Sequence, residues 1–223
     1  MDKMIVYEDN VLLVVHKPAG IATETARVGQ ADLVSELKNY RKKKGEDTYI
    51  GIVHRLDQPV EGLLVFAKDS NTAKKLSGGL SKGTLTKKYV ALVAGALQAP
   101  EGSLADELLK DARTNLSRVV PEGTKGAKKA SLHWRVLRQK EDISLLEIEL
   151  YSGRHHQIRV QMAHAGFPLL GDFKYGTPSS KELSRSAGIN STALMAYEIG
   201  LVHPLTGETI EFSLDYHKFT RIF

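Results

Sequence analysis

The chain has 223 residues, 42% of them hydrophobic, which suffices for a sizeable buried core. It has no cysteine, so disulfides, thiol nucleophiles and thiolate metal sites are excluded. Lys and Arg total 31 against 26 Asp and Glu, and the resulting charge of +5 and pI near 9.2 favour a polyanionic partner without specifying one. The opening MDKMIVYEDN has an acidic residue at once and no long apolar run, so it reads as neither signal peptide nor anchor. No later apolar stretch approaches the ~20 residues that span a bilayer, and a soluble, cytoplasmic protein is expected.

IVYED and VLLVVHKPAG read as paired strands around the turn-forming Asp9-Asn10, the second strand ended by Pro18 and Gly20. ADLVSELKNYRKKK reads as a helix with Leu33, Leu37 and Tyr40 on one face. Its RKKK tail reads as a solvated end at the negative pole of the helix dipole rather than a phosphate contact. IVHRLD and GLLVFAKD are two apolar runs broken by Gln58-Pro59-Val60-Glu61, which puts Asp57 on a loop between strands, where catalytic groups tend to sit. SNTAKKLSGGLSKG predicts one helix, N-capped by Ser70, with Ala73, Leu76 and Leu80 as its apolar stripe.

KKYVALVAG predicts a strand, and residues 98–129, richer in Gly, Pro and charge, predict an excursion with short strands such as SRVV. ASLHWRVLRQ and ISLLEIELY predict strands around the turn Lys140-Glu141-Asp142. GRHHQIRVQMAHAG predicts a helix between two glycines, with Ile158, Met162 and Ala165 facing inward. ALMAYEIGLVHP and ETIEFSLD predict a hairpin around Leu205-Thr206-Gly207. Strands outnumber helices without alternating with them. The expected class is therefore α+β, with a mixed, mainly antiparallel central sheet and flanking helices and loops.

Three clusters carry candidate chemistry. HRLDQPVEGLLVFAKD places Arg55 and Asp57 two positions apart on a turn; a carboxylate in a partly apolar pocket can act as nucleophile or base if a cation keeps it ionised. Local composition alone favours an Arg and an Asp that merely tie down the turn. KKYVALVAG holds Tyr89, whose hydroxyl can move a proton, although a core tyrosine is the plainer reading. SGRHHQIRVQMAHAGFPLLGDFKYG offers Arg154 and Arg159 at a helix start, with His155, His156 and His164 nearby. A metal site is not expected: adjacent His155 and His156 would point to different helix faces, and no HExxH spacing is present. Arg159 has instead the rigid fork that pairs with a carboxylate.

Together, in this order, HRLD, GLLVFAK, KKYVALVAG and GRHHQIR…AHAGFPLLGDFKYG resemble the RluA family of pseudouridine synthases, as does the opening YEDNVLLVVHKPAGI. The match runs from about Tyr7 to Tyr175, and LMAYEIGLVHPLTGE resembles the family's closing segment. The resemblance implies the pseudouridine synthase fold and isomerisation of uridine in structured RNA, ribosomal or transfer. The bond from C1′ to N1 breaks, the uracil turns, and it rejoins through C5, with no cofactor and no metal. Position by position, Asp57 matches the catalytic aspartate, Tyr89 the tyrosine that stacks near the base and takes the C5 proton, and Arg159 the arginine that pairs with the aspartate. Ile158 matches the apolar residue packed on the uracil, and Arg55 the arginine that fills the gap left by the flipped nucleotide. His54, Arg154 and His156, from the same motifs, are expected among the substrate contacts.

This chain departs from the family where Val60-Glu61 replaces the common Thr-Ser and where Gln161 stands in place of a common His. A carboxylate at Glu61 would repel phosphate. Residues 1–223 are expected to form a single catalytic domain without an S4-type RNA-binding module, monomeric, without membrane contact. The competing reading is an RNA-binding protein of the same fold without activity, against which the joint presence of Asp57, Tyr89 and Arg159 argues. A hydrolase or transferase on another nucleotide lacks its phosphate-binding GxxxxGK[ST] element.

Overall fold

A computed structural model describes residues 1–25 and 29–223, apart from the side chain of Asp2. They form two compact units, one of Met1–Thr86 with Ala196–Leu214 and one of Lys87–Met195 with Asp215–Phe223.

The first unit opens with a 3-10 turn, Asp2–Met4, then β1 (Ile5–Glu8) and β2 (Leu12–Lys17), an antiparallel pair. The turn between them closes as expected, because the Asp9 carboxylate accepts the N–H groups of Val11 and Leu12 at 2.8 and 2.7 Å. Next come α1 (Leu33–Lys43), β3 (Gly51–Ile52), β4 (Glu61–Ala67), α2 (Ser70–Leu76) and α3 (Gly79–Lys82). The expected single helix over 70–83 is thus two short ones, broken where Gly78 turns left-handed at φ 72°. Its N-cap is Asp69, not Ser70, since the Asp69 side chain accepts from Asn71 and Thr72.

On α1 the buried stripe is Leu33, Val34, Leu37 and Arg41, not Tyr40. Tyr40 instead donates its hydroxyl to Glu8. The basic tail divides: Arg41 goes inside and donates to the carbonyls of Tyr49 and Lys68, and Lys44 pairs with Glu8 at 3.0 Å. Lys42, Lys43 and Lys44 stay exposed as expected.

The second unit takes β5 (Leu85–Ala94) from Lys87 onward, then β6 (Glu101–Asp111), β7 (Leu116–Val120), β8 (Lys128–Lys140), β9 (Ile143–Leu150), α4 (Gln157–His164) and α5 (Pro178–Ser186). Its strand order is β5-β9-β8-β6-β7. Residues 98–129 are therefore more ordered than expected, since β6 is 11 residues long and pairs with β8 from Glu101 to Leu108. Helix α5, which the sequence reading passed over, starts at Thr177, whose side chain caps Ser180. The chain then runs through β10 (Leu194–Val202) into the first unit, where β11 (Thr209–Ser213) pairs with it as the expected hairpin, and ends at α6 (His217–Thr220) in the second.

The α+β class holds. The ladders β1–β2, β2–β4, β3–β4, β10–β11, β5–β9, β8–β9, β6–β8 and β6–β7 are all antiparallel. In the first unit, Leu12, Val14, Leu63, Val65, Leu76, Leu85, Ile199 and Leu201 build one apolar core. Gly62, at φ 131°, lets β4 lie against the backbone of Ala196; a Cβ there would drive into that peptide group. Among the described residues no helix is long and apolar enough to cross a membrane.

Candidate active site

The loop that carries Asp57 is held from both sides by the segment that follows β2. Of the IVHRLD run only Ile52, the end of β3, is strand, so 53–60 is irregular and needs other partners for its backbone. Before Asp57, Thr23 Oγ1 donates to the Leu56 carbonyl at 2.9 Å and accepts the Leu56 N–H at 3.2 Å. After it, the Gln58 carbonyl accepts the Gly20 N–H at 2.8 Å and the Lys17 ammonium at 3.2 Å, while Gln58 Nε2 donates back to the Gly20 carbonyl at 3.0 Å. The Asp57 carbonyl closes the turn by accepting the Val60 N–H at 3.0 Å. Buried Leu56 and Val60 anchor the turn, so both neighbours of Asp57 are fixed while Asp57 itself is half-buried.

Lys17 is wholly buried and also donates to the carbonyls of Pro18 and Ile21 at 3.0 and 2.7 Å. Burial pulls its pKa down to about 8, against the upward pull of the Asp57 and Glu61 carboxylates. Glu61, one of the unusual residues, lies 3.8 Å from His16 Nε2. His54 accepts the Val65 N–H on Nε2 at 3.2 Å and so ties the loop to β4. Arg55 is exposed.

In the second unit, Tyr89 is buried on β5 opposite Ile148 of β9, and the ammonium of buried Lys87, two residues back on the same strand face, lies 5.1 Å from the ring centroid. Arg159 and Ile158 are buried on α4. The Arg159 guanidinium grips Asp172 bidentately, Nε to Oδ2 at 2.6 Å and an Nη to Oδ1 at 2.8 Å. Burial raises the Asp172 pKa, but Arg159 and the N–H groups of Lys174 and Tyr175 outweigh it and hold the carboxyl below its ordinary value. The guanidinium also lies 5.2 Å from the centroid of Tyr175. The Tyr175 hydroxyl accepts the Ser117 N–H at 2.8 Å and lies 2.7 Å from His156 Nδ1.

His155 and His156 do not diverge on a helix, as the sequence suggested. Helix α4 begins only at Gln157, His156 is left-handed at φ 55°, and the two rings stack with centroids 3.7 Å apart. Gln157 pins this turn by accepting from Ser152 and Arg154 and donating to the Ser131 carbonyl. Arg154 precedes the helix, exposed, with its Nε on the Lys129 carbonyl. Among the described residues no group of His, Asp and Glu is arranged to hold a metal.

Of the candidate residues, His54, Arg55 and Asp57 thus lie in the first unit, and Tyr89, Arg154, His156, Ile158 and Arg159 in the second. The sequence reading missed Lys17, Thr23, Asp172 and Tyr175. Lys17, Asp172 and Tyr175 fall inside the quoted motifs and Thr23 two residues beyond one, but nothing in that wording tells which side chain turns back onto the backbone or onto Arg159.

Residues 11–164 match the family model described as RNA pseudouridylate synthase. The chain is 38% identical over 210 residues to the RNA pseudouridine synthase YhcT of Bacillus subtilis, covering 92% of this chain and 66% of that one. It is 36% identical over 219 residues to YlyB of the same organism (95% and 68%), and 35% identical over 215 residues to ribosomal large subunit pseudouridine synthase D of Neisseria meningitidis (93% and 56%). It thus spans between 56% and 68% of the length of these relatives. Human RNA pseudouridylate synthase domain containing 4 shares the fold at 22% identity, with a TM-score of 0.78 over 99% of this chain and 91% of that one. Domain containing 1 does so with a TM-score of 0.75, at 22% identity, over 95% and 82%. With the motifs of Tyr7 to Tyr175, the α+β fold and these matches in agreement, the chain belongs to the RNA pseudouridylate synthase family, in the RluA group that its motifs resemble.

Proposed function

We propose that this protein converts specific uridines of structured RNA to pseudouridine, with Asp57 as the catalytic carboxylate. The observation that carries the reading is the fixed turn of Asp57: Thr23 and Lys17 immobilise Leu56 and Gln58, so the one half-exposed carboxylate between them is held in place before any substrate arrives. Preorganisation of this kind suits a reaction in which a base must be met in one orientation.

The target atoms of a uridine in folded RNA are stacked, so the nucleotide has to be flipped out, at a cost of a few kcal/mol. Arg55 then fills the vacated stack, and Ile158 supplies an apolar surface for the uracil. Asp57 assists cleavage of the C1′–N1 bond, the uracil turns, C5 bonds to C1′, and Tyr89 takes the C5 proton as its own hydroxyl proton passes to water, while N1 takes a proton from water, so that none is gained or lost overall. Arg159 supplies a cation that favours the ionised carboxylate. His54, Arg154 and His156 complete the substrate contacts. Ribosomal RNA is the first substrate to try, because several relatives are named as ribosomal large subunit enzymes. A monomer working in the cytoplasm without cofactor goes with this reading.

The test is pseudouridine mapping of total RNA treated with purified wild type or Asp57→Asn. New pseudouridines with wild type alone support the assignment, provided that the variant still binds RNA. Equal pseudouridine formation by both proteins rules Asp57 out. Binding without pseudouridine formation by either protein selects the RNA-binding alternative.

A further inference from the structure

The turn that carries Asp172 has two faces. Asp172 and Tyr175 point inward, onto Arg159 and His156. Phe173 and Lys174, between them, point out, and Phe173 is 51% exposed. A single exposed apolar residue needs no explanation by itself. What sets Phe173 apart is the turn that holds it. The Asp172 carboxylate accepts the N–H groups of Lys174 and Tyr175 at 3.0 and 3.3 Å, and the Asp172 carbonyl accepts the Gly176 N–H at 2.8 Å. Gly171, at φ 70°, fixes the entry to the turn; a Cβ there would meet the Ser191 carbonyl. Phe173 is thus a large aromatic ring held outward by a rigid turn, and the same carboxylate that shapes the turn orients Arg159.

We propose that Phe173 is a stacking platform for an unpaired RNA base beside the target uridine, with Lys174 taking the adjoining phosphate. Single-stranded nucleic acid is bound by this pairing of an aromatic face with a neighbouring cation, because every base has a π-face and every nucleotide a charge. Because the turn is held without ligand, little ordering entropy opposes stacking. The inference deepens the reading above and rests on it: it assigns the sequence next to the target as unpaired.

The probe is a fluorescein-labelled single-stranded RNA of mixed sequence, compared with a hairpin whose bases are all paired apart from its closing loop. Phe173→Ala is expected to weaken binding of the single strand about tenfold and to raise KM for RNA with little change in kcat. Phe173→Trp is expected to keep affinity, and its emission to be quenched by RNA beyond any change in wild type, which has only Trp134. Lys174→Gln is expected to weaken binding and flatten its salt dependence by about one phosphate contact. Unchanged affinity and KM in Phe173→Ala, with no RNA-dependent quenching in Phe173→Trp, would overturn the platform. Quenching by inorganic polyphosphate as strong as by RNA would also overturn it, as a charge effect without stacking. If wild type makes no pseudouridine while the Phe173 variants still lose single-strand binding, the stacking contact stands and its place beside a target uridine falls with the catalytic reading.

Discussion

Arg159 and Asp172 form a bidentate pair that is almost wholly buried, with side-chain exposures of 4% and 1%. The guanidinium that the family resemblance reserves for the catalytic carboxylate therefore has a second, structural carboxylate in its own unit. That partner fixes the plane and direction of the fork, and Tyr175 lies against it from the side.

Removing the charge from Asp172 should therefore be felt twice. Breaking a buried pair by neutralising one partner costs roughly 3–5 kcal/mol, because the other charge stays behind. Asp172→Asn is expected to lower unfolding stability by about 3 kcal/mol in urea titrations at pH 7, and to reduce pseudouridine turnover more than RNA affinity. Stability within about 1 kcal/mol of wild type would show that Asp172 does not hold Arg159.

The clamp on Leu56 gives a second prediction. Thr23 Oγ1 both donates to and accepts from the Leu56 peptide, and both residues are buried. Thr23→Val keeps the shape and leaves two backbone groups unsatisfied, at roughly 1–3 kcal/mol for each. A stability loss of about 2 kcal/mol is expected, together with a fall in kcat at near-constant KM as the Asp57 turn loosens. Thr23→Ser should restore both, and a Ser variant no better than Val would assign the effect to packing instead.

Tyr89 gives a third. Tyr89→Phe retains the ring that packs on β5 and discards only the hydroxyl. If that hydroxyl takes the C5 proton, turnover falls by about 100-fold or more while RNA affinity stays within about twofold. Single-turnover rates and anisotropy titrations on the same RNA separate the two. A Phe variant with full turnover would move proton acceptance to another group.

How much of this was legible depends on how local each feature is. The Asp57 loop was, because Gln58-Pro59 interrupts two apolar runs, although the irregular stretch begins already at Val53 and Glu61 belongs to β4. The Asp9 turn and the β10–β11 hairpin were, for the same reason. The division of the RKKK tail was not: Arg41 finds its carbonyl acceptors at Tyr49 and Lys68, and neither can be known before the chain has folded. His156 offered no sign of its left-handed φ, which moves the start of α4 and turns an expected divergence of two histidines into a stack. Asp57, Tyr89 and Arg159 were not singled out by their own surroundings, where structural roles were the better inference. Their combination and order carried the family, and the structure adds the residues that hold them: Thr23, Lys17 and Asp172.

Lys17 makes the last of these testable by pH. Its ammonium is buried on three carbonyl groups, and its pKa falls from 10.5 to about 8. A lowered lysine pKa means that the folded state gives up its proton first. Between pH 8 and 10.5 the unfolded chain binds more protons, so stability contributed by this group rises with pH across that window. Below pH 8 the cost of burying the charge is present in full; the shift from 10.5 to about 8 corresponds to roughly 3 kcal/mol. Lys17→Met has no such group. The stability of wild type relative to Lys17→Met should therefore grow by up to roughly 3 kcal/mol from pH 7 to 10.5, with a slope no steeper than about 1.4 kcal/mol per pH unit. Turnover should move the other way, since above pH 8 the cation that lies near Asp57 and Glu61 is lost. Urea titrations of both proteins at pH 7, 8.5 and 10 test the first part, and a pH–rate profile the second. A stability difference that stays flat over this range would mean that Lys17 keeps its proton in the folded protein, and that its three hydrogen bonds outweigh its burial.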